Sequence, residues 1–266
     1  MALLNEDFLN TTVAIGVNQN GITNWIGTGF FASKKSQSTG SYIYLVTNRH
    51  VVENFAEIRI RILEKGRTRC LECPVTLVEN GFRLFVPATD EAVDLAVILL
   101  NAPNLEGVID KLVSVDIDND IYTSDEYLKN GGFEGSGVFM LGFPLGMVDE
   151  SSNYPICRFG CIARFNSNEI QTKHKFMVDI QNFPGNSGSP IFSKPEIVSL
   201  VGTKPIDKCK LIGIVNSYIS YQDQLFSNQT KQVVEIRNEN SGLAFANPAE
   251  YLKNLINEDL KSRNLV

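Results

Sequence analysis

The stretch Phe183-Pro184-Gly185-Asn186-Ser187-Gly188-Ser189-Pro190 sets two glycines around a serine, and the apolar pair Ile191-Phe192 follows it as a strand. Glycine reaches backbone conformations closed to other residues. In the turn Gly185-Asn186-Ser187 the amides of Gly185 and Ser187 can therefore converge on one point while the Ser187 hydroxyl stays exposed, as an oxyanion hole requires. Taken alone, a glycine-serine turn is usually only a turn. A catalytic reading needs a base.

The chain has two histidines. His50 follows Tyr44-Leu45-Val46-Thr47-Asn48-Arg49, an apolar strand passing into a short helical turn, whereas His174 stands between Lys173 and Lys175 and reads as a surface residue. A lone histidine at a strand end is more often a satisfied core group than a catalyst. Here Asp94 opens the apolar run 94–100. A carboxylate heading a buried strand is costly to desolvate unless a donor meets it, and an imidazole N–H from His50 is that donor. Asp90, in the preceding polar loop, has no such need.

Outward from these residues, short β-rich runs recur between turn signals at 12–17, 27–32, 42–47, 56–63, 75–78, 95–100, 138–143, 176–180, 211–218 and 243–246. Strands at that density point to an all-β sandwich or barrels. Thr123 with Glu126 forms a capping box over a helix at 124–130, stopped by Gly131 and Gly132. Asn247, Pro248 and Glu250 open a second helix reaching about Lys261, with Tyr251, Leu252, Leu255 and Ile256 on one face. The polar stretch 101–137 reads as the connector between two barrels, and 34–41 and the Asn- and Gln-rich 222–241 read as surface loops.

The 266 residues are 43% hydrophobic and 20% charged, which excludes a disordered or coiled-coil chain. A net charge of −6 offers no field for nucleic acid or an anionic membrane. No run approaches the ~18 apolar residues of a membrane span, and the opening residues lack the pattern of a signal peptide. Five cysteines, an odd number, argue against a disulfide framework, so the expectation is a soluble protein of the cytoplasm. Cys70 with Cys73 and Cys157 with Cys161 invite a zinc reading, but isolated thiols are the simpler account. Asp116, Asp118 and Asp120 imitate a calcium loop, yet Ile121 and Tyr127 stand where its glycine and glutamate belong. No metal site is expected.

The order His50, Asp94, Ser187, in the contexts Thr47-Asn48-Arg49-His50-Val51-Val52, Asp94-Leu95-Ala96 and Gly185-Asn186-Ser187-Gly188-Ser189-Pro190, resembles a trypsin-like serine peptidase of the chymotrypsin fold. The likeness runs from Gly27-Thr28-Gly29-Phe30-Phe31 through Gly213-Ile214-Val215 to the terminal helix. It is nearest to the bacterial disulfide-free branch, close to the high-temperature-requirement proteases and the glutamyl endopeptidases. It implies one peptidase domain of two six-stranded antiparallel β-barrels with a C-terminal α-helix: a first barrel at about 12–110, a connector at about 111–136, and a second barrel with the helix at about 137–262. No appended PDZ domain is expected.

The resemblance also implies roles. Ser187 attacks the scissile carbonyl, His50 takes and returns the proton, Asp94 holds the ring, and no cofactor is needed. Gln181 would lie at the base of the primary pocket, with Asn182 beside it, Ser217 and Tyr218 on a wall, and Asn216 on the edge that pairs with an extended substrate. The Asn216 amide could also assist Asp94. Neutral Asn186 stands where digestive relatives carry the aspartate that pairs with a freshly cut N-terminus, so that route of activation is absent. With no charge placed for Lys or Arg, and Val215 where glutamyl endopeptidases have histidine, an uncharged residue is expected before the cleaved bond. The expected partners are a protein or peptide substrate and a regulatory protein. The rival expectation is a catalytically silent binding module on the same fold.

Overall fold

The computed structural model describes residues 4–36, 40–63, 70–100, 112–149, 152–196 and 204–265. A short helix α1 (Glu6–Thr11) leads into β1 (Thr12–Gln19), β2 (Ile22–Lys35), β3 (Ser41–Thr47), the single turn α2 (Arg49–Val52), β4 (Glu57–Leu63) and β5 (Cys70–Thr76). The small hairpin β6 (Val78–Glu79) and β7 (Phe82–Arg83) precedes β8 (Phe85–Pro87) and β9 (Ala96–Leu99). Then come β10 (Val115–Asp116) and α3 (Ser124–Lys129). The rest is β11 (Gly137–Gly142), β12 (Ile156–Arg164), α4 (Ser167–Lys173), β13 (Phe176–Asp179), β14 (Pro190–Ser193), β15 (Leu211–Phe226), β16 (Val233–Pro248) and α5 (Ala249–Ser262). Residues 101–111, read as the start of the connector, and 37–39, within an expected loop, lie outside the described residues.

The first half forms a sheet in the order β5-β4-β1-β2-β3-β9-β8, with β10 added in parallel beside β2. The second half closes as a six-stranded barrel, β11-β12-β13-β16-β15-β14. This all-β, two-unit architecture with a terminal helix is the chymotrypsin-like fold. Local chemistry sets the reversals. The Asn20-Gly21 and Asn80-Gly81 pairs both carry positive φ, the conformation that twists β1 into β2 and β6 into β7.

Each unit has its own buried core, and a third cluster lies between them. There Phe30, Tyr44 and Val46 of the first sheet meet Phe192, Leu211 and Ile214 of the second barrel beneath Leu252, Leu255, Ile256 and Leu260 of α5. At about 1.5–3 kcal/mol per buried aliphatic side chain, that face of α5 is a large adhesive surface. Its polar anchor is Asp259, which accepts the Tyr44 hydroxyl at 2.7 Å and the Arg263 Nε at 2.8 Å. Burial, reinforced by that carboxylate, pushes the Tyr44 hydroxyl far up from its ordinary pKa. At the other end of the chain, α1 lays Phe8 on Phe192, rings stacked at 4.4 Å.

The elements differ from the sequence reading in several places. Strand β12 and helices α1 and α4 were not expected, and 222–241 is no loop but the far part of a β15–β16 ribbon. The cysteine pairs fall on separate sheets, Cys70 and Cys73 on β5 and Cys157 and Cys161 on β12. The carboxylates at 116–120 are engaged by protein groups: Asp120 accepts the Asp116 amide at 3.0 Å, and Asp118 pairs with Lys34 of β2 at 2.8 Å. Among the described residues, no helix is long and apolar enough to cross a membrane.

Candidate active site

Strand β3 delivers its end into α2, a single turn that buries Val51 and Val52 and leaves the His50 side chain about half exposed. Two side chains fasten the facing loop: Asn48 Nδ2 donates to the Asp94 carbonyl at 2.7 Å and Arg49 to the Glu91 carbonyl at 3.1 Å. The Asp94 carboxylate, with its side chain 17% exposed, meets His50 twice. Its Oδ2 lies 2.5 Å from Nδ1, and its Oδ1 accepts the His50 amide at 3.2 Å. An ionised carboxylate only accepts, so Nδ1 carries a proton, and in the neutral imidazole Nε2 is then the lone-pair acceptor.

The carbonyls from Phe183 to Ser187 are all held. Asn186 N donates to Phe183 O at 3.0 Å across Pro184-Gly185, and Gly185 has φ 95°, a type II turn with proline and glycine in their preferred places. The Pro184 carbonyl accepts Leu145 N at 2.6 Å. In a trans peptide the N–H points opposite to the carbonyl, so this bond turns the Gly185 N–H the other way. The Asn186 carbonyl accepts Ser189 N at 2.9 Å and turns the Ser187 N–H likewise. Neither amide has a protein acceptor among the described residues, so both remain available to an incoming oxygen. Gly188, at φ 87°, packs so tightly that a Cβ would collide with the Thr28 carbonyl.

The same packing brings the two segments together. Gly27 lies between them: a Cβ there would fall 2.7 Å from Val51 Cγ1 and 3.5 Å from the Ser187 carbonyl. The Ser187 hydroxyl makes no hydrogen bond among the described residues, to His50 or elsewhere. Asn186 is fully buried with neither end of its amide paired among the described residues, and Ser189 Oγ is in the same position.

The five residues expected along the substrate path fall in two places. A bulge between Val215 and Ser217 takes Asn216 out of the ladder with β16, and Ser217 and Tyr218 beyond it are exposed. Gln181 is exposed just past β13, while Asn182 is buried and its carbonyl accepts Asn240 Nδ2 at 2.5 Å. The Asn216 amide donates to Asn247 Oδ1 at 3.1 Å, so it is committed there rather than to Asp94. His174 corrects the surface reading. It takes the left-handed position after α4, and its Nε2 meets Asp90 Oδ2 at 2.9 Å and its Nδ1 the Tyr251 hydroxyl at 2.6 Å. Asp90 thus has a partner from the other half of the molecule, which its polar sequence neighbourhood does not reveal.

A family model described as a trypsin-like peptidase domain matches residues 27–202, more than half of the chain. No curated protein matches the chain. Among solved structures, the apo form of the MamO protease domain from Magnetospirillum magneticum is similar in fold, with a TM-score of 0.52 at 15% identity, over 94% of this chain and 97% of that one.

Proposed function

The chain belongs to the trypsin-like peptidase domain family, and from that membership we propose that it is a serine endopeptidase acting through an acyl-enzyme at Ser187. The observation that carries the reading is the Asp94–His50 contact at 2.5 Å, which leaves Nε2 as the free basic nitrogen. In the proposed reaction His50 takes the Ser187 proton as the hydroxyl attacks the carbonyl, then gives it to the leaving amine. Asp94 stabilises the imidazolium. The Gly185 and Ser187 amides receive the oxyanion, where loss of one donor costs about 10²–10³ in turnover. Asn216, Ser217, Tyr218, Gln181 and Asn182 line the substrate path, with preference for an uncharged residue before the cleaved bond.

A second reading, a protease fold retained as a binding module, draws on the unpaired Ser187 hydroxyl, although nucleophile–base hydrogen bonds often tighten only when substrate is bound. One experiment separates the two. A fluorophosphonate probe is expected to label the wild-type protein covalently, with labelling lost in Ser187→Ala and His50→Ala while circular dichroism stays unchanged. A folded wild-type protein that resists the probe would sink the enzyme reading.

A further inference from the structure

Thr28, on β2 of the first sheet, is completely buried, and every one of its polar groups is engaged. Its N–H donates to the Ser187 carbonyl at 2.9 Å, and its carbonyl accepts the Thr47 hydroxyl at 2.8 Å. Its own hydroxyl donates to the Gly185 carbonyl at 2.7 Å and accepts the Phe143 amide at 3.0 Å. One residue of the first sheet thus grips the serine turn at two carbonyls. It also ties that turn to Thr47 at the end of β3, the strand that leads into α2 and His50.

The hydroxyl acts on the plane that matters. The Gly185 carbonyl and the Asn186 N–H form one peptide group, lying between the two groups whose N–H bonds are free. Thr28 holds the oxygen end of that middle plane and the Phe183 carbonyl holds the other. Fixing the middle plane fixes the angle between its neighbours. Through Phe143 the same hydroxyl steadies the segment whose Leu145 amide pins the Pro184 carbonyl. Removing it takes away one of the bonds that hold the turn in type II, and passage to type I would swing the Gly185 N–H away.

We propose that Thr28 is a positioning residue for the oxyanion-binding amides, acting through the Gly185 carbonyl and the Phe143 amide; this rests on the serine peptidase reading above. It requires the hydroxyl and not merely the volume of the side chain. Thr28→Val keeps the shape and removes the donor, whereas Thr28→Ser keeps the donor.

The test is the rate of fluorophosphonate inactivation, resolved into its maximal rate and its half-saturating probe concentration. For Thr28→Val the maximal rate is expected to fall about 10²-fold, the scale of one lost oxyanion donor, with half-saturation nearly unchanged. Thr28→Ser is expected to stay within about threefold of wild type, since it restores the same donor. Thr28→Ala, which relieves any crowding by the valine methyl, is expected to match Thr28→Val and guards against a valine variant that fails to fold. A wild-type rate in folded Thr28→Val or Thr28→Ala overturns the proposal. So does a serine variant as slow as the alanine one, which would mark the residue as packing alone. If the wild-type protein itself is not labelled, the peptidase reading falls and this one with it.

Discussion

Strands β15 and β16 are laddered to each other along nearly their whole length, yet their two ends meet different surroundings. At the base, Leu211, Ile214, Val215, Ala244 and Ala246 are completely buried. In the far part, Tyr221, Phe226, Val234 and Ile236 are each more than half exposed. The main-chain pairing is of one kind throughout, so what distinguishes the two ends is the second layer of side chains. Among the described residues the base is the part that hydrogen-bonds to the serine turn, where Gly188 N donates to Val215 O at 3.2 Å and Val215 N to Ser189 O at 2.9 Å. Precision at the site is therefore a product of burial, and the ribbon is held by cross-strand pairs worth about 0.2–1 kcal/mol each.

Two glycines with nearly the same φ give the sharpest test. Gly188→Ala combines left-handed strain with a collision against Thr28, and is expected to cost roughly 3–5 kcal/mol in urea unfolding. At Gly242, φ 81°, an added Cβ meets nothing closer than Gln181 Nε2 at 3.5 Å, so the alanine variant should lose only about 1–2 kcal/mol, the strain alone. Equal losses would break the comparison.

A pair of isoleucines follows. Ile214→Ala, in the base, is expected to lose about 2–5 kcal/mol in the same unfolding measurement. Ile236→Ala, 54% exposed in the ribbon, should stay within about 0.5 kcal/mol of wild type. Excision tests the ribbon as a whole. Joining Tyr221 to Glu239, which face each other in the ladder, by an Asn-Gly turn removes the ribbon tip. Because no ribbon residue belongs to any core cluster, Tm should move by no more than about 4 °C, and a protein that no longer folds would show the two ends to be interdependent.

The ribbon also shows where sequence reading stops. Strands such as β3 and β9 announce themselves because one environment surrounds them and their apolar runs are unbroken. The far part of β15 and β16 faces solvent on both sides, which erases hydrophobic alternation and leaves a composition that resembles a loop. β12 is hidden for a related reason: Cys157 and Phe159 are apolar yet exposed, so its outward face is not polar. Helices α1 and α4 are short, six and seven residues, and entered through Asn5 and Asn166, whose caps are indistinct among so many asparagines. By contrast the α3 capping box forms with both of its reciprocal bonds, and the apolar stripe of α5 docks as its spacing implies.

Within the site, local sequence sufficed to pair His50 with Asp94, because a carboxylate at the head of a buried strand has to be met by a donor. It did not suffice for Thr28, whose hydroxyl bonds to Gly185, remote in the chain and on the other barrel. Nor did it suffice for Asp90 and His174, which find each other only after the two halves come together.

Helix α5 roofs the seam between the barrels and reaches Tyr44 in the first of them, although it follows both in the chain. During synthesis a ribosome that has already released β1 to β9 still lacks the piece that seals their inner wall. The nascent first sheet therefore waits, with Phe30, Tyr44 and Val46 uncovered, until α5 has emerged, and a chain truncated before α5 would present that unsealed wall to chaperones and to degradation.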